Sequence, residues 1–192
     1  ADIRAAEAGS TTERIFDMIS SVRERTDVPL VLLTYTNPVY KYGYKAFFQN
    51  MQDLKIQGII MPDLPLEEQG EVRDLLPQYD VSLIQLVTLQ SGDRIPALAK
   101  AASGYIYMVS SLGITGARSE ISSEANQLIT EIKKYTDVPV AVGFGISKPE
   151  HIKQFDAANG VIIGSAIVDK IAQHPLDAEP YLTDFIQTMK QG

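Results

Sequence analysis

Cysteine and tryptophan are both missing from this 192-residue chain, and histidine occurs twice, as His151 and His174. Without cysteine there is no disulfide, thiolate nucleophile or Cys-type zinc site, and two histidines do not make a histidine-rich metal centre. Basic residues are in the minority, 17 Lys and Arg against 24 Asp and Glu, for a net charge of −7. That balance excludes a broad electrostatic footprint for nucleic acid or an anionic membrane, so any phosphate must be held locally. No apolar run approaches the roughly 18 residues of a membrane span, and the start of the chain carries acids where a secretory signal needs bases. The expectation is a soluble, cytoplasmic protein, and an apolar fraction of 45% suits one domain with one sizeable core.

What is present is an alternation of helix and strand signals. Ser10 with Glu13 reads as a capping box, and Ile15, Met18, Ile19 and Val22 follow at helical spacing. After Thr26-Asp27-Val28-Pro29 comes Leu30 to Tyr35, a continuous apolar run of the kind buried on both faces in a parallel sheet. The same junction recurs at Thr136-Asp137-Val138-Pro139 before Val140, and in looser form at Tyr79-Asp80-Val81-Ser82. Six strands are predicted, starting near 30, 58, 82, 105, 139 and 161, with a helical pattern between each pair. Such alternation means a parallel α/β sheet. A closed eight-stranded barrel usually takes about 250 residues. Counting alone therefore leaves two architectures open, a six-stranded open sheet and a barrel lacking its first two units.

Ligands of parallel sheets sit at the carboxyl ends of the strands. Three loops there are glycine-marked: Ser110 to Gly116, Gly143-Phe144-Gly145-Ile146-Ser147, and Gly164-Ser165-Ala166. Glycine permits close backbone approach and a following helix start offers N–H donors, so these loops can cradle a phosphate without Lys or Arg. Each also reads as plain turn chemistry, but two such loops on the last two strands match where barrel phosphate sites are built. Ser147 and Glu150 read as a second capping box, and His151 is expected to face solvent rather than act as a base. Met61-Pro62-Asp63-Leu64-Pro65 ends the second strand. Asp63 there suits catalysis, the capping of its own loop, or a partner contact, while Glu67 and Glu68 suit a helix start. Tyr35 and Tyr107 end strands, where a ring can stack on a planar substrate or simply sit on the rim.

Five blocks in order carry a resemblance: Leu33-Thr34-Tyr35-Thr36-Asn37-Pro38 with Gly43, Pro62 to Glu68, Tyr105-Ile106-Tyr107 into Ser110–Gly116, Gly143 to Ser147, and Gly164 to Val168. Together they resemble the alpha subunit of tryptophan synthase over nearly the whole chain. The resemblance implies a (β/α)8 TIM barrel of which this chain supplies roughly strands 3 to 8, as a single domain, with Ala1 to Gly9 similar to the helix after the second strand. It implies retro-aldol cleavage of indole-3-glycerol phosphate to indole and glyceraldehyde 3-phosphate, with no cofactor on this subunit.

By resemblance, Gly116, Phe144, Gly145, Gly164 and Ser165 match phosphate-binding positions. Leu33, Tyr35, Ile60, Leu86, Tyr107 and Phe144 match positions around the indole and glycerol, and Tyr107 and Thr115 match assisting positions, Thr115 on a loop that closes over substrate. Asn37, Pro38, Asp63 and Pro65 match the rim facing the beta subunit, the pyridoxal-phosphate enzyme that receives indole. The family's catalytic glutamate and aspartate would lie upstream of Ala1, so the 192 residues alone are expected to be inactive, since the cleavage needs an acid-base pair. Val87-Thr88-Leu89-Gln90 also departs from the family, which more often has proline there. Two other readings stay open: an inactive phosphate-sensing partner subunit, and another phosphate-binding barrel enzyme.

Overall fold

The computed structural model describes residues 5, 7–109, 118–143 and 145–191, with the backbone alone at 118–122. Helix and strand alternate as α1 (Thr12–Arg23), β1 (Val31–Leu33), α2 (Thr36–Tyr42), α3 (Tyr44–Asp53), β2 (Gly58–Ile60), α4 (Gly70–Leu75) and β3 (Ser82–Leu83). There follow β4 (Gln85–Thr88), α5 (Ile95–Ala101), β5 (Ile106–Val109), α6 (Arg118–Ile132), β6 (Val140–Gly143), α7 (Pro149–Ile152), β7 (Gly160–Ile162), α8 (Ser165–Gln173) and α9 (Ala178–Met189). Every pairing is parallel, in the orders β1-β2-β3 and β4-β5-β6-β7. The third predicted strand is divided at Ile84: its first half pairs with β2 and its second with β5. The chain forms two compact units, Ala1–Ile84 and Gln85–Gly192.

In the first unit, α1 buries Phe16 and Ile19, and Phe16 meets Tyr42 and Phe47 edge-on at 5.6 and 5.0 Å. Ile15, Met18 and Val22, expected on the core face, are 41, 58 and 37% exposed, because the helix turns its Phe16 side inward. The expected cap is also displaced by one residue. Thr11, not Ser10, is the N-cap, its hydroxyl accepting the Arg14 N–H, while the Ser10 N–H donates to Ala5 O of the preceding turn. Gly43 joins α2 to α3 at φ +91, a conformation that favours glycine. Below β1 and β2 the Arg23 guanidinium donates to the carbonyls of Leu54 (2.8 Å), Lys55 (2.7 Å), Val28 (2.6 Å) and Thr26 (3.4 Å). One cation thus satisfies carbonyls left over where α1 and α3 end.

In the second unit the strands alternate. Val87, Ile106, Met108, Val140 and Val142 are fully buried, as are Ala99, Ile129 and Ile132 of α5 and α6 to within about a hundredth of their surface. Leu86, Tyr107 and Ala141, on the opposite face, are only half-buried. Burial on both faces, expected of the Leu30–Tyr35 run, fails in β1, where Val31 and Leu33 are exposed and Leu32 is half-buried; β2 is buried throughout, and in β4 to β6 one face is only half-buried.

Candidate functional site

The second unit brings the glycine loops together. Val109, Gly143 and Ile162 are successive register partners across β5, β6 and β7, so the three loops leave from adjacent strand ends. Of the phosphate positions, Gly116 and Phe144 lie outside the described residues, as does Thr115. Gly145, Gly164 and Ser165 are described, and all three are exposed. A Cβ on Gly145 or on Gly164 would meet no atom of the described residues within 4 Å. Gly145 has φ +71, which strains any other residue, whereas Gly164 has φ −116, which does not. In α8 the first intrahelical bonds run from Ile167 and Val168 N–H to Gly164 O (2.9 and 3.1 Å). The N–H groups of Ser165 and Ala166 precede them, the donor arrangement that suits an anion.

Gly143 has a different task. The Tyr107 ring lies against its α-carbon so closely that a Cβ would stand 2.5 Å from the hydroxyl oxygen and 2.8 Å from Cζ. Glycine at the end of β6 is what lets the ring lie there. Leu86 and Tyr107 are register partners on the half-buried face, so two residues matched to the substrate pocket sit side by side. Burial pushes the Tyr107 phenol above its ordinary range, leaving it a neutral hydroxyl able to donate. Tyr105 is raised as well, first by burial and then by Tyr107.

The capping box expected at Ser147 and Glu150 does not form. Lys148 is the N-cap of α7, without a side-chain bond, and the Ser147 N–H donates to Nδ1 of His151 at 3.2 Å. His151 is therefore buried rather than solvent-facing, since its ring folds back to serve the turn before its own helix. His174 stacks on Tyr181, with ring centres 3.5 Å apart.

In the first unit Leu33 and Ile60 are register partners; Leu33 is 60% exposed and Ile60 is buried. Tyr35, 57% exposed, is the N-cap of α2 and offers no side-chain bond to it. Asp63 supplies the missing cap from the neighbouring loop. Its two carboxylate oxygens accept the Thr36 N–H at 2.9 and 3.1 Å, and one also accepts the Thr36 hydroxyl at 3.0 Å. Asp63 thus caps α2 and not its own loop, a correction to one of the three roles open from sequence. Asn37 and Pro38 follow Thr36 in the first turn of α2, so Asp63 fixes them. Pro65 is exposed at the start of a 3-10 turn, Leu66–Glu68. Thr36 went unnoticed in the sequence, yet Tyr35 before Thr-Asn-Pro is a helix start without its own cap, which calls for an outside acceptor.

Among the described residues no cluster of His, Asp and Glu could hold a metal, and no helix is long and apolar enough to cross a membrane. The class this defines is a parallel α/β protein with glycine-marked segments following three adjacent strand ends. The sequence profile of the tryptophan synthase alpha chain matches residues 1–191, and the chain belongs to that family. It is 45% identical to the alpha chain of Lacticaseibacillus casei over 191 residues, covering 99% of this chain and 72% of that one. The alpha chain of Lactiplantibacillus plantarum is also 45% identical, over 100% of this chain and 73% of that one. Among solved structures, the tryptophan synthase α2β2 complex of Pyrococcus furiosus contains a chain with TM-score 0.90 and 30% identity, covering 99% of this chain and 78% of that one. The alpha subunit of Campylobacter jejuni gives 0.84 and 30%, over 96% and 72%. The fold class is accordingly the (β/α)8 barrel, with seven strands among the described residues, two of them the halves of one predicted run.

Proposed function

We infer that this chain serves the alpha reaction of tryptophan synthase, the retro-aldol cleavage of indole-3-glycerol phosphate to indole and glyceraldehyde 3-phosphate, by holding the phosphate and the indole while the proton transfers fall to acids that it does not itself supply. The observation that carries the inference is the family match over residues 1–191, joined to glycine loops on register-paired strand ends. We assign the phosphate to the backbone of Gly145, Gly164 and Ser165, with Gly116 and Phe144 completing the set. Neutral N–H donors at a helix start hold a phosphate without the lysines this acidic chain does not concentrate. Leu33, Tyr35, Ile60, Leu86, Tyr107 and Phe144 take the indole and glycerol portions. Tyr107, kept neutral by burial, donates to a substrate oxygen, and Thr115 assists it. The proton transfers belong to the family's glutamate and aspartate, which match no position between Ala1 and Gly192.

The partner we assign is the beta subunit, met at Asn37, Pro38, Asp63 and Pro65. A mutual-activation complex of this kind is the subject of the Pyrococcus furiosus structure. No cofactor is assigned to this chain; pyridoxal phosphate belongs to the beta partner, and the reaction is placed in the cytoplasm. Gly164→Asp tests the phosphate site cleanly, because φ −116 and a Cβ direction clear of the described residues let the variant fold while its carboxylate fills the anion's space. Glycerol 3-phosphate binding should be lost with the melting temperature kept. Parent-like binding by that variant would refute the assignment.

A further inference from the structure

We propose that His151 is a positioning residue for the phosphate loop, acting through the bond its Nδ1 accepts from the Ser147 N–H. The proposal rests on the reading of Gly145 and Gly164 as phosphate positions.

His151 is one of three buried polar side chains among the described residues, with Gln69 and Gln85. It is the buried residue of the four-residue α7. What it does there is local: at 3.2 Å it takes up the N–H of Ser147, two residues past Gly145. To accept, Nδ1 must carry no proton. Gly143, Ile146 and Ser147, the described residues on either side of Gly145, are then each held. Gly143 is pressed by the Tyr107 ring, Ile146 is buried at 3% exposure, and Ser147 is tied to His151. Between these anchors stands Gly145, in the left-handed conformation with no atom of the described residues within 4 Å of where a Cβ would be. A loop that offers backbone donors gains affinity from being ordered before the anion arrives, because ordering otherwise costs binding energy.

Ser147 could have capped α7 with its hydroxyl, the pattern its sequence suggests. The histidine instead turns the Ser147 backbone N–H inward, which fixes the plane of the Ile146–Ser147 peptide. Removing the acceptor releases that peptide.

Asparagine places its Oδ1 where histidine has Nδ1, whereas leucine fills a similar volume with no acceptor. The test is calorimetric binding of glycerol 3-phosphate to the full chain, for the parent, His151→Leu, His151→Asn and Gly164→Asp, with melting temperature alongside. We expect His151→Leu to bind about 3- to 10-fold more weakly, the worth of one hydrogen bond. His151→Asn should bind within about 2-fold of the parent, a rescue that packing alone would not give. Parent-like binding by a folded His151→Leu, or equal loss in Leu and Asn, overturns the proposal. If His151→Leu does not fold, His151→Asn decides alone: retained affinity supports the bond, and lost affinity in a folded variant refutes it. If Gly164→Asp binds as the parent does, the phosphate reading has failed and takes the proposal with it.

Discussion

Gly143→Ala is the sharpest perturbation the structure offers, because the obstacle to it is a single ring. The new Cβ would stand 2.5 Å from the Tyr107 hydroxyl oxygen and 2.8 Å from Cζ, where ordinary contact begins at 3.4 Å. The ring must therefore move by roughly an ångström, and forcing a methyl into a packed site costs about 1–3 kcal/mol. At about 2–4 °C per kcal/mol for a chain of this size, the melting temperature should fall by roughly 2–12 °C. Tyr107 cannot swing freely, since Leu86 and Ala141 flank it in register on either side. Substrate affinity should fall too if, as proposed, the Tyr107 hydroxyl donates to the substrate from that position. The assay is a double-mutant cycle on stability and on indole-propanol phosphate binding. In a Tyr107→Ala background the ring is gone, so adding Gly143→Ala should cost little, giving a coupling well above the 0.3–0.5 kcal/mol or so of independent sites. Tyr107→Phe should rescue poorly, because ring carbons as well as the hydroxyl obstruct the Cβ. If Gly143→Ala costs the same with and without the ring, the close approach does not explain the glycine.

Three further outcomes are expected. Arg23→Met removes a guanidinium shared by four carbonyls and should cost about 2–4 kcal/mol in urea unfolding, with phosphate affinity unchanged; a loss under about 1 kcal/mol would mean the clamp is replaced by water. Asp63→Ala should destabilise by about 0.5–2 kcal/mol as the cap of α2 is lost, and Asp63→Asn, keeping one accepting oxygen, should recover part of it; no change in stability would refute the cap. The Glu131 carboxyl is held below its ordinary range by hydrogen bonds from Lys134 and Tyr135, so its contribution to stability is present above the unfolded value and lost as pH falls through the folded one. Lys134→Met should raise the Glu131 titration seen by NMR with no resolvable change in stability, since the pair is exposed.

The strands were the most legible part of the sequence, because a parallel sheet needs apolar runs of fixed length between helical repeats and this chain supplies six. Their boundaries were less legible. The break at Ile84 follows from which neighbour each half of the strand pairs with, and a single apolar run carries no mark of that. The helix caps failed for a related reason. Ser10 and Glu13, like Ser147 and Glu150, satisfy the spacing of a capping box, but spacing does not say whether the serine N–H has another acceptor to reach. Ser10 donates to Ala5 O and Ser147 to His151, and in each case that outside bond sets the turn ahead of the side-chain cap.

The same distinction divides the site. The expectation of phosphate loops at glycines after strands rests on turn chemistry and helix-start donors that are local to each loop. The reason for Gly143 is not local: it lies 36 positions earlier in the chain, in Tyr107 on the adjacent strand, and only register brings the two together. Asp63 and Thr36 are 27 residues apart, and there too adjacent strands deliver the acceptor to a helix that lacks its own. In a parallel sheet each strand end is therefore finished by its neighbour. Thus Gly145 and Gly164 announce themselves in sequence, while the residues that hold such loops in place do so only once the strands are aligned.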